Sequence, residues 1–159
     1  MNLAAVIQSM RVPFLLLTPV CVFLGASTVA TSETTISFLL LVLLGALLAH
    51  ISVNALNEYS DLKSGLDLAT TRTPFSGGSG ALPENPEMSS AVFIVGAVSL
   101  IATLIIGGFF IWKYGAGILP IGIAGLILIV TYTDWINRYP LLCLIAPGIG
   151  FGFLMVVGT

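Results

Sequence analysis

The chain has 159 residues, of which 57% are hydrophobic and only 8% are charged, and its five basic and seven acidic side chains give a formal net charge of -2. A soluble domain carries about 25% charged residues, so this composition excludes a soluble globular domain, a disordered chain and a basic nucleic-acid-binding protein. Cys21 and Cys143 lie in apolar runs and form neither a metal-binding spacing nor a disulfide framework. We therefore predict an integral membrane protein.

Apolar stretches recur along the chain, at residues 12–30, 36–59, 90–112, 115–132 and 141–158. About 20 helical residues cross the bilayer core, which is about 30 Å thick, and the first three stretches reach that length. The fourth is shorter, and the fifth runs into the end of the sequence. Because the runs are continuous and lipid requires internal backbone hydrogen bonds, we predict helices. The predicted fold class is all-α: a single transmembrane helical bundle over residues 1–159, with about five spans.

The positions of the basic residues predict the orientation in the membrane. With the N-terminus in the cytoplasm, Arg11, Lys63, Arg72 and Arg138 lie on the cytoplasmic side, and only Lys113 lies outside. This distribution follows the positive-inside rule, whereas the opposite orientation would violate it for four of the five basic residues. The predicted location is a bacterial inner (cytoplasmic) membrane.

A polar stripe follows the apolar part of the second span. Its members are spaced three or four residues apart, with one additional neighbour, so they share one helix face: His50, Asn54, Asn57, Glu58 and Asp61. One interpretation is a helix end that meets headgroups and water. The other, which we favour for the set, is a functional site, since intramembrane polar residues usually face a bundle interior or a wet cavity. For His50 alone, a packing role is the simpler interpretation.

Carboxylates cluster at the end of this stripe. Glu58 and Asp61 lie one turn apart, and Asp67 follows after Gly65. Three close carboxylates repel one another unless a cation lies between them. Oxygen ligands favour Mg²⁺ or Ca²⁺, and Mg²⁺ usually combines one or two carboxylates with water and phosphate oxygens. The cluster therefore predicts a magnesium-bound diphosphate substrate.

The acidic loop at residues 60–89, predicted to be cytoplasmic, contains a glycine-rich segment over residues 76–80. Glycines let backbone N–H groups approach an anion, and Lys63 and Arg72 add positive charge on the same side. A flexible linker is the alternative, but the adjacent carboxylates favour a phosphate-binding role. Arg138, in the loop after the fourth span, is either a second anion contact or a topological anchor.

Two segments resemble the UbiA superfamily of membrane prenyltransferases. Residues 54–67, with the pattern Asn-Glu-Tyr-x-Asp-x-x-x-Gly-x-Asp over residues 57–67, resemble its first aspartate-rich motif. The form is closest to the branch that prenylates 1,4-dihydroxy-2-naphthoate. The Arg-Thr-Pro-Phe-Ser-Gly-Gly-Ser-Gly segment at residues 72–80 and the Met-Arg-Val-Pro-Phe segment at residues 10–14 are also similar to that family.

The resemblance implies an all-helical bundle of about nine spans and a Mg²⁺-dependent enzyme. It would transfer an isoprenyl group from an isoprenyl diphosphate to an aromatic acceptor through an allylic carbocation. By motif position, Asn57 and Asp61 are implied as catalytic residues, and the implied metal ligands are Asn57, Glu58, Asp61 and Asp67. Glu58 stands where aspartate is usual. The implied substrate contacts are Asn54, Lys63, Arg72 and Arg138.

The family's second aspartate-rich motif has no counterpart here, because no acidic residue follows Asp134. We therefore expect the chain to correspond to the N-terminal half of such an enzyme. It is expected to bind the donor without turnover unless a C-terminal half or another copy of the chain contributes. Two other classes stay open: a non-catalytic subunit that binds isoprenoid diphosphates or assists assembly, and a small transporter.

Overall fold

The computed structural model describes residues 2–29, 35–69 and 78–159. These residues are helical, with short connections and no strand among them, which confirms the predicted all-α class for this part of the chain. The α-helices are α1 (Leu3–Ser9), α2 (Leu17–Ala26), α3 (Ile36–Ser64), α4 (Leu66–Ala69), α5 (Ala81–Glu84), α6 (Ser89–Tyr114), α7 (Leu119–Asp134) and α8 (Pro140–Pro147). Single 3₁₀ turns precede α2, α6, α7 and α8, and α8 continues as a π-helix, Gly148–Met155.

The two longest helices, α3 and α6, form an antiparallel pair. A Cβ on Gly45 would lie 3.1 Å from the Ile106 side chain, and a Cβ on Gly96 would lie 2.8 Å from that of Leu56. The order along α3 is therefore the reverse of that along α6. Small residues at these two levels let the helix backbones approach closely, as is common between helices in a membrane.

Two helices, Ile36–Ser64 and Pro86–Tyr114, are long and apolar enough to cross a membrane. A third candidate span is the pair Leu3–Ser9 and Val12–Ala26, which is bent by 46°. The fourth and fifth apolar stretches form the shorter apolar helices Ala116–Tyr132 and Pro140–Met155. The structure thus confirms the predicted helices, and residues 2–29, 35–69 and 78–159 contain two or three candidate spans by length and composition; the five-span topology stays a prediction.

The second span and the acidic loop differ from their predicted boundaries. The loop was expected to begin at residue 60, but α3 continues to Ser64 and ends at Gly65, whose φ of 75° is left-handed. The helix continues because residues 60–64 contain no glycine or proline, whereas glycine readily adopts the left-handed conformation that terminates a helix. The last turn of α3 therefore carries Asp61 as part of a rigid element.

Polar side chains are buried while large apolar side chains are exposed. Glu58 and Ser52 have no exposed surface, whereas Trp112 and Leu144 are 82% and 77% exposed. This reverses the arrangement of a soluble protein and suits helices whose outer faces contact lipid. The buried apolar cluster is small and lies where α1, α3, α5 and α6 meet, at Val6, Ala55, Leu82 and Val92.

Candidate functional site

The polar stripe of α3 faces the interior of the bundle. His50, Asn57, Glu58 and Asp61 are all less than 9% exposed, and Asn54 is half-buried. Burying this many polar groups in an apolar bundle costs free energy unless each finds a partner. The contacts of these residues therefore indicate what the stripe does. We call the α3 segment from residue 54 to residue 61 the polar end of α3.

Asn57 and Asp61 are bonded to each other. The Asn57 side-chain amide donates a hydrogen bond of 2.7 Å to Asp61 Oδ2, within a buried setting. Asp61 is also close enough to Asp67 for their charges to repel. Gly78, whose φ is 76°, lies against Asp67, because a Cβ on Gly78 would be 2.6 Å from Asp67 Oδ1. Any other residue here would adopt a strained left-handed backbone and would have to displace the Asp67 carboxylate.

The donor set suits a metal ion that is shared with a ligand. In residues 2–29, 35–69 and 78–159, no group of three His, Cys, Asp or Glu side chains is placed to hold a metal ion by itself. Asn57, Asp61 and Asp67 nevertheless bring amide and carboxylate oxygens to one end of the bundle, and these are the donors that Mg²⁺ prefers. Mg²⁺ often takes only one or two carboxylates and completes its shell with water and phosphate oxygens.

Glu58 points to a different set of partners. The Ser79 backbone N–H donates to Glu58 Oε1 and Oε2 at 3.0 and 3.1 Å, and the Ser79 hydroxyl donates to Oε1 at 2.6 Å. Arg11 Nη2 completes the arrangement as an ion pair at 3.5 Å from Oε2. A fully buried carboxylate requires this kind of compensation. Glu58 therefore joins three segments that are distant in sequence.

Arg11 is a site residue that was not among the residues predicted to contact the substrate or the metal. Its φ of 53° is left-handed, so the chain turns sharply between α1 and the following 3₁₀ helix. Its Nε is buried and has no hydrogen-bond partner in the described part of the chain, and the residue lines the central cavity. The one available signal was its place in the Met-Arg-Val-Pro-Phe segment, which says nothing of a partner 47 residues later.

Asn54 and His50 also form specific contacts. The Asn54 amide donates to the Met10 carbonyl at 2.9 Å, which ties the Arg11 turn to α3. His50 Nδ1 and Thr18 Oγ1 are 2.8 Å apart, and the His50 ring lies 4.6 Å from that of Phe151. His50 thus has the packing contacts that the simpler interpretation expected, and it also lines the cavity.

Two of the other predicted substrate contacts, Lys63 and Arg138, lie on the surface. Lys63 is exposed, with its Nζ 5.5 Å from the Tyr59 ring centroid. Arg138 is exposed after α7, and neither residue lines the cavity. Arg72 lies outside the described residues. The structure thus brings Asn54, Asn57 and Asp61 together with Arg11, and it leaves Lys63 and Arg138 on the surface.

A cavity of about 560 Å³ begins at the polar end of α3 and extends along the helix. Beside the polar end of α3, its polar lining consists of Arg11, Asn54, Asn57 and Tyr132. The rest of the cavity wall is largely apolar. At a rise of about 1.5 Å per residue, the lining of α3 from Val42 to Asn57 covers about 22 Å. The volume is within the range of about 300–1,000 Å³ typical of ligand sites. The shape suits a long apolar ligand with one anionic end.

Comparison with known proteins gives one match. The model of the UbiA prenyltransferase family matches residues 16–159, which includes the polar end of α3 and most of the cavity lining. No curated protein and no solved structure matches the chain.

Proposed function

The chain belongs to the UbiA prenyltransferase family, and from this premise we propose that it is an intramembrane prenyltransferase. It moves an isoprenyl group from an isoprenyl diphosphate to an aromatic acceptor that is a quinone precursor. The observation that carries the proposal is the cavity, because one continuous space joins a polar end containing Arg11, Asn54 and Asn57 to a long apolar wall. An isoprenyl diphosphate has the same division into an anionic head and an apolar tail.

In the proposed reaction, the bond between the isoprenyl carbon and the diphosphate oxygen breaks, and both electrons leave with the diphosphate. A ring carbon of the acceptor attacks the allylic cation, and the ring then loses its proton. Mg²⁺, when bound, would neutralise the leaving diphosphate. Asn57, Asp61 and Asp67 would hold the ion. Arg11 adds a guanidinium at the same end of the cavity, and the apolar wall keeps water from the cation.

We further propose that the acceptor resembles 1,4-dihydroxy-2-naphthoate. The support is the form of the motif at residues 57–67, together with the segment at residues 72–80, which resemble the branch that prenylates this compound. The first segment includes part of the polar end of α3, and Ser79 of the second bonds to Glu58 there, so we propose that acceptor and diphosphate meet at this end.

Metal dependence tests the proposal. We expect a non-ionisable analogue, farnesyl S-thiolodiphosphate, to bind the purified chain at least about tenfold more weakly in EDTA than in Mg²⁺, because the carboxylates of Asp61 and Asp67 repel a diphosphate without a cation between them. Calorimetry or fluorescence competition in detergent measures both affinities, and excess Mg²⁺ should restore binding. Equal affinity with and without EDTA would contradict the bridging metal.

The orientation is proposed from the positive-inside distribution, and cysteine labelling checks it. In a variant without Cys21 and Cys143, a cysteine at exposed Glu87 should react with an impermeant maleimide only from the cytoplasmic side. A cysteine at Ala116, which is exposed at the opposite end of α6, should react only from the outside. The reverse pattern would place the polar end of α3 on the outer side of the membrane.

A further inference from the structure

We infer that Glu58 is a positioning residue, which fastens the turn at residues 78–80 and the Arg11 turn to the polar end of α3, and that it does not ligate the metal. This inference rests on the proposed function, since the turn and Arg11 are positioned for the anionic end of the donor. It assigns to Glu58 a task different from the one that the motif resemblance implied.

The direction of the side chain is the first argument. Consecutive residues of an α-helix point about 100° apart, whereas residues four apart share a face. Asn57 and Asp61 are four apart and bonded to each other, and Asn57 lines the cavity. Around the helix axis Glu58 points about 100° from Asn57 and about 60° from Asp61, and its carboxylate turns to Ser79.

The use of its oxygens is the second argument. Glu58 has no exposed surface, and both of its oxygens accept hydrogen bonds from Ser79 while Oε2 also pairs with Arg11. Ser79 Oγ in turn accepts the Ala81 N–H at 3.1 Å. A metal at Glu58 would have to displace these charge-assisted bonds, which are among the stronger hydrogen bonds in proteins.

Further bonds show that Glu58 belongs to a larger hydrogen-bonded network. We call it the joint, and it contains Gln8, Met10, Arg11, Asn54, Glu58 and Ser79. The Gln8 side-chain amide donates to the Ser79 carbonyl at 2.9 Å. Together with the Asn54 bond to Met10, this links α1, the Arg11 turn, Ser79 and α3. Glu58 is the charged centre of the joint, because its carboxylate accepts the Ser79 N–H and hydroxyl bonds and also pairs with the Arg11 guanidinium.

The joint controls two groups at the site. Gly78 immediately precedes Ser79 and lies against the Asp67 carboxylate, so the Ser79 bonds determine how the turn meets Asp67. The ion pair holds Arg11 beside the cavity with its Nε still available in the described structure. Glu58 therefore acts on the Asp67 carboxylate through Ser79 and on the Arg11 guanidinium directly.

Metal and donor titrations separate the two roles of Glu58. We propose to measure the Kd of farnesyl S-thiolodiphosphate over a range of Mg²⁺ concentrations, in the wild-type chain and in Glu58→Gln, Ser79→Ala and the double variant. A positioning role predicts a Kd at saturating Mg²⁺ that is weaker by about tenfold in Glu58→Gln, the loss expected from about one charge-assisted hydrogen bond. Ser79→Ala should have a smaller effect in the same direction, and the double variant should be no weaker than Glu58→Gln.

The second readout is the Mg²⁺ requirement of each variant. We define it as the Mg²⁺ concentration at which the Kd is twice the value that the same variant reaches at saturating Mg²⁺. It should stay at the wild-type value in Glu58→Gln and Ser79→Ala, and it should rise in Asp61→Asn. Glu58→Asp keeps the charge but withdraws the carboxylate from Ser79, so we expect it to resemble Glu58→Gln. Thermal unfolding of each purified variant shows whether it is folded. If Glu58→Gln is unstable, Ser79→Ala still tests the inference, because it keeps the buried ion pair between Glu58 and Arg11.

Several results would overturn the inference. If Glu58→Gln raises the Mg²⁺ requirement while Ser79→Ala does not, or if Glu58→Asp binds as the wild type does, Glu58 is a ligand. If neither Glu58→Gln nor Ser79→Ala changes the Kd, the joint positions nothing, although the proposed function survives. If the wild-type chain itself shows no Mg²⁺-dependent donor binding, the proposed function fails, and the inference fails with it.

Discussion

Replacing Asp61 by asparagine is expected to weaken Mg²⁺-dependent binding of farnesyl S-thiolodiphosphate by at least about a hundredfold, or about 3 kcal/mol. Asp61 is buried at the polar end of α3 and is bonded to Asn57. An asparagine there removes a charged oxygen donor and leaves two amides facing each other, so the metal would lose a carboxylate and its attraction for the diphosphate would fall. Calorimetric titration in detergent, with saturating Mg²⁺, measures the effect.

Glu87→Gln is the matched control for Asp61→Asn. It removes the same unit of negative charge from an exposed residue beside α6, and we expect its donor affinity to be unchanged. If Asp61→Asn binds the analogue as tightly as this control does, Asp61 does not hold the metal, and the polar end of α3 needs another explanation.

Filling the cavity is expected to remove the binding of the isoprenyl tail while leaving the polar end intact. Gly125 on α7 lines the cavity, and a Cβ there would meet no atom within 4 Å, so we expect a leucine side chain at this position to project into the cavity. It would displace about four methylene-sized groups of the tail, worth about 3 kcal/mol or about a hundredfold in affinity. The measurement is the Kd of the farnesyl analogue beside that of inorganic diphosphate, both in Mg²⁺.

Gly122→Leu provides the control on the same helix. Gly122 also has open space around its Cβ position, but it lies outside the cavity lining formed by the described residues. We expect Gly122→Leu to bind both ligands normally and Gly125→Leu to lose only the farnesyl analogue. Equal farnesyl affinity in the two variants would show that the tail lies elsewhere, for example against lipid.

The sequence by itself determined the protein class, the helices and the polar stripe. A charged fraction of 8% and long apolar runs leave a helical membrane protein, since lipid offers no partners for open backbone groups. The stripe from His50 to Asp61 was equally accessible, because helical spacing is a local property. The motif at residues 57–67 also pointed to the family that matches residues 16–159.

The lengths of the last two apolar helices were harder to predict from composition alone. The apolar runs at residues 115–132 and 141–158 predicted helices, but their lengths did not decide whether each crosses the membrane, and the structure gives shorter helices there. Hydropathy describes residues one window at a time, whereas helix ends depend on turns such as the one at Gly115, whose φ is 88°.

Only the tertiary structure distinguished the tasks of neighbouring polar residues. Glu58 and Asp61 look alike in a list of carboxylates, yet Glu58 pairs with Arg11 across 47 residues of sequence, and Asp61 bonds to Asn57 four residues away. Likewise, Thr18 reaches His50, and five helical segments enclose one cavity. Such pairings depend on how the helices pack, and helical periodicity assigns a residue to a face without specifying what lies opposite it.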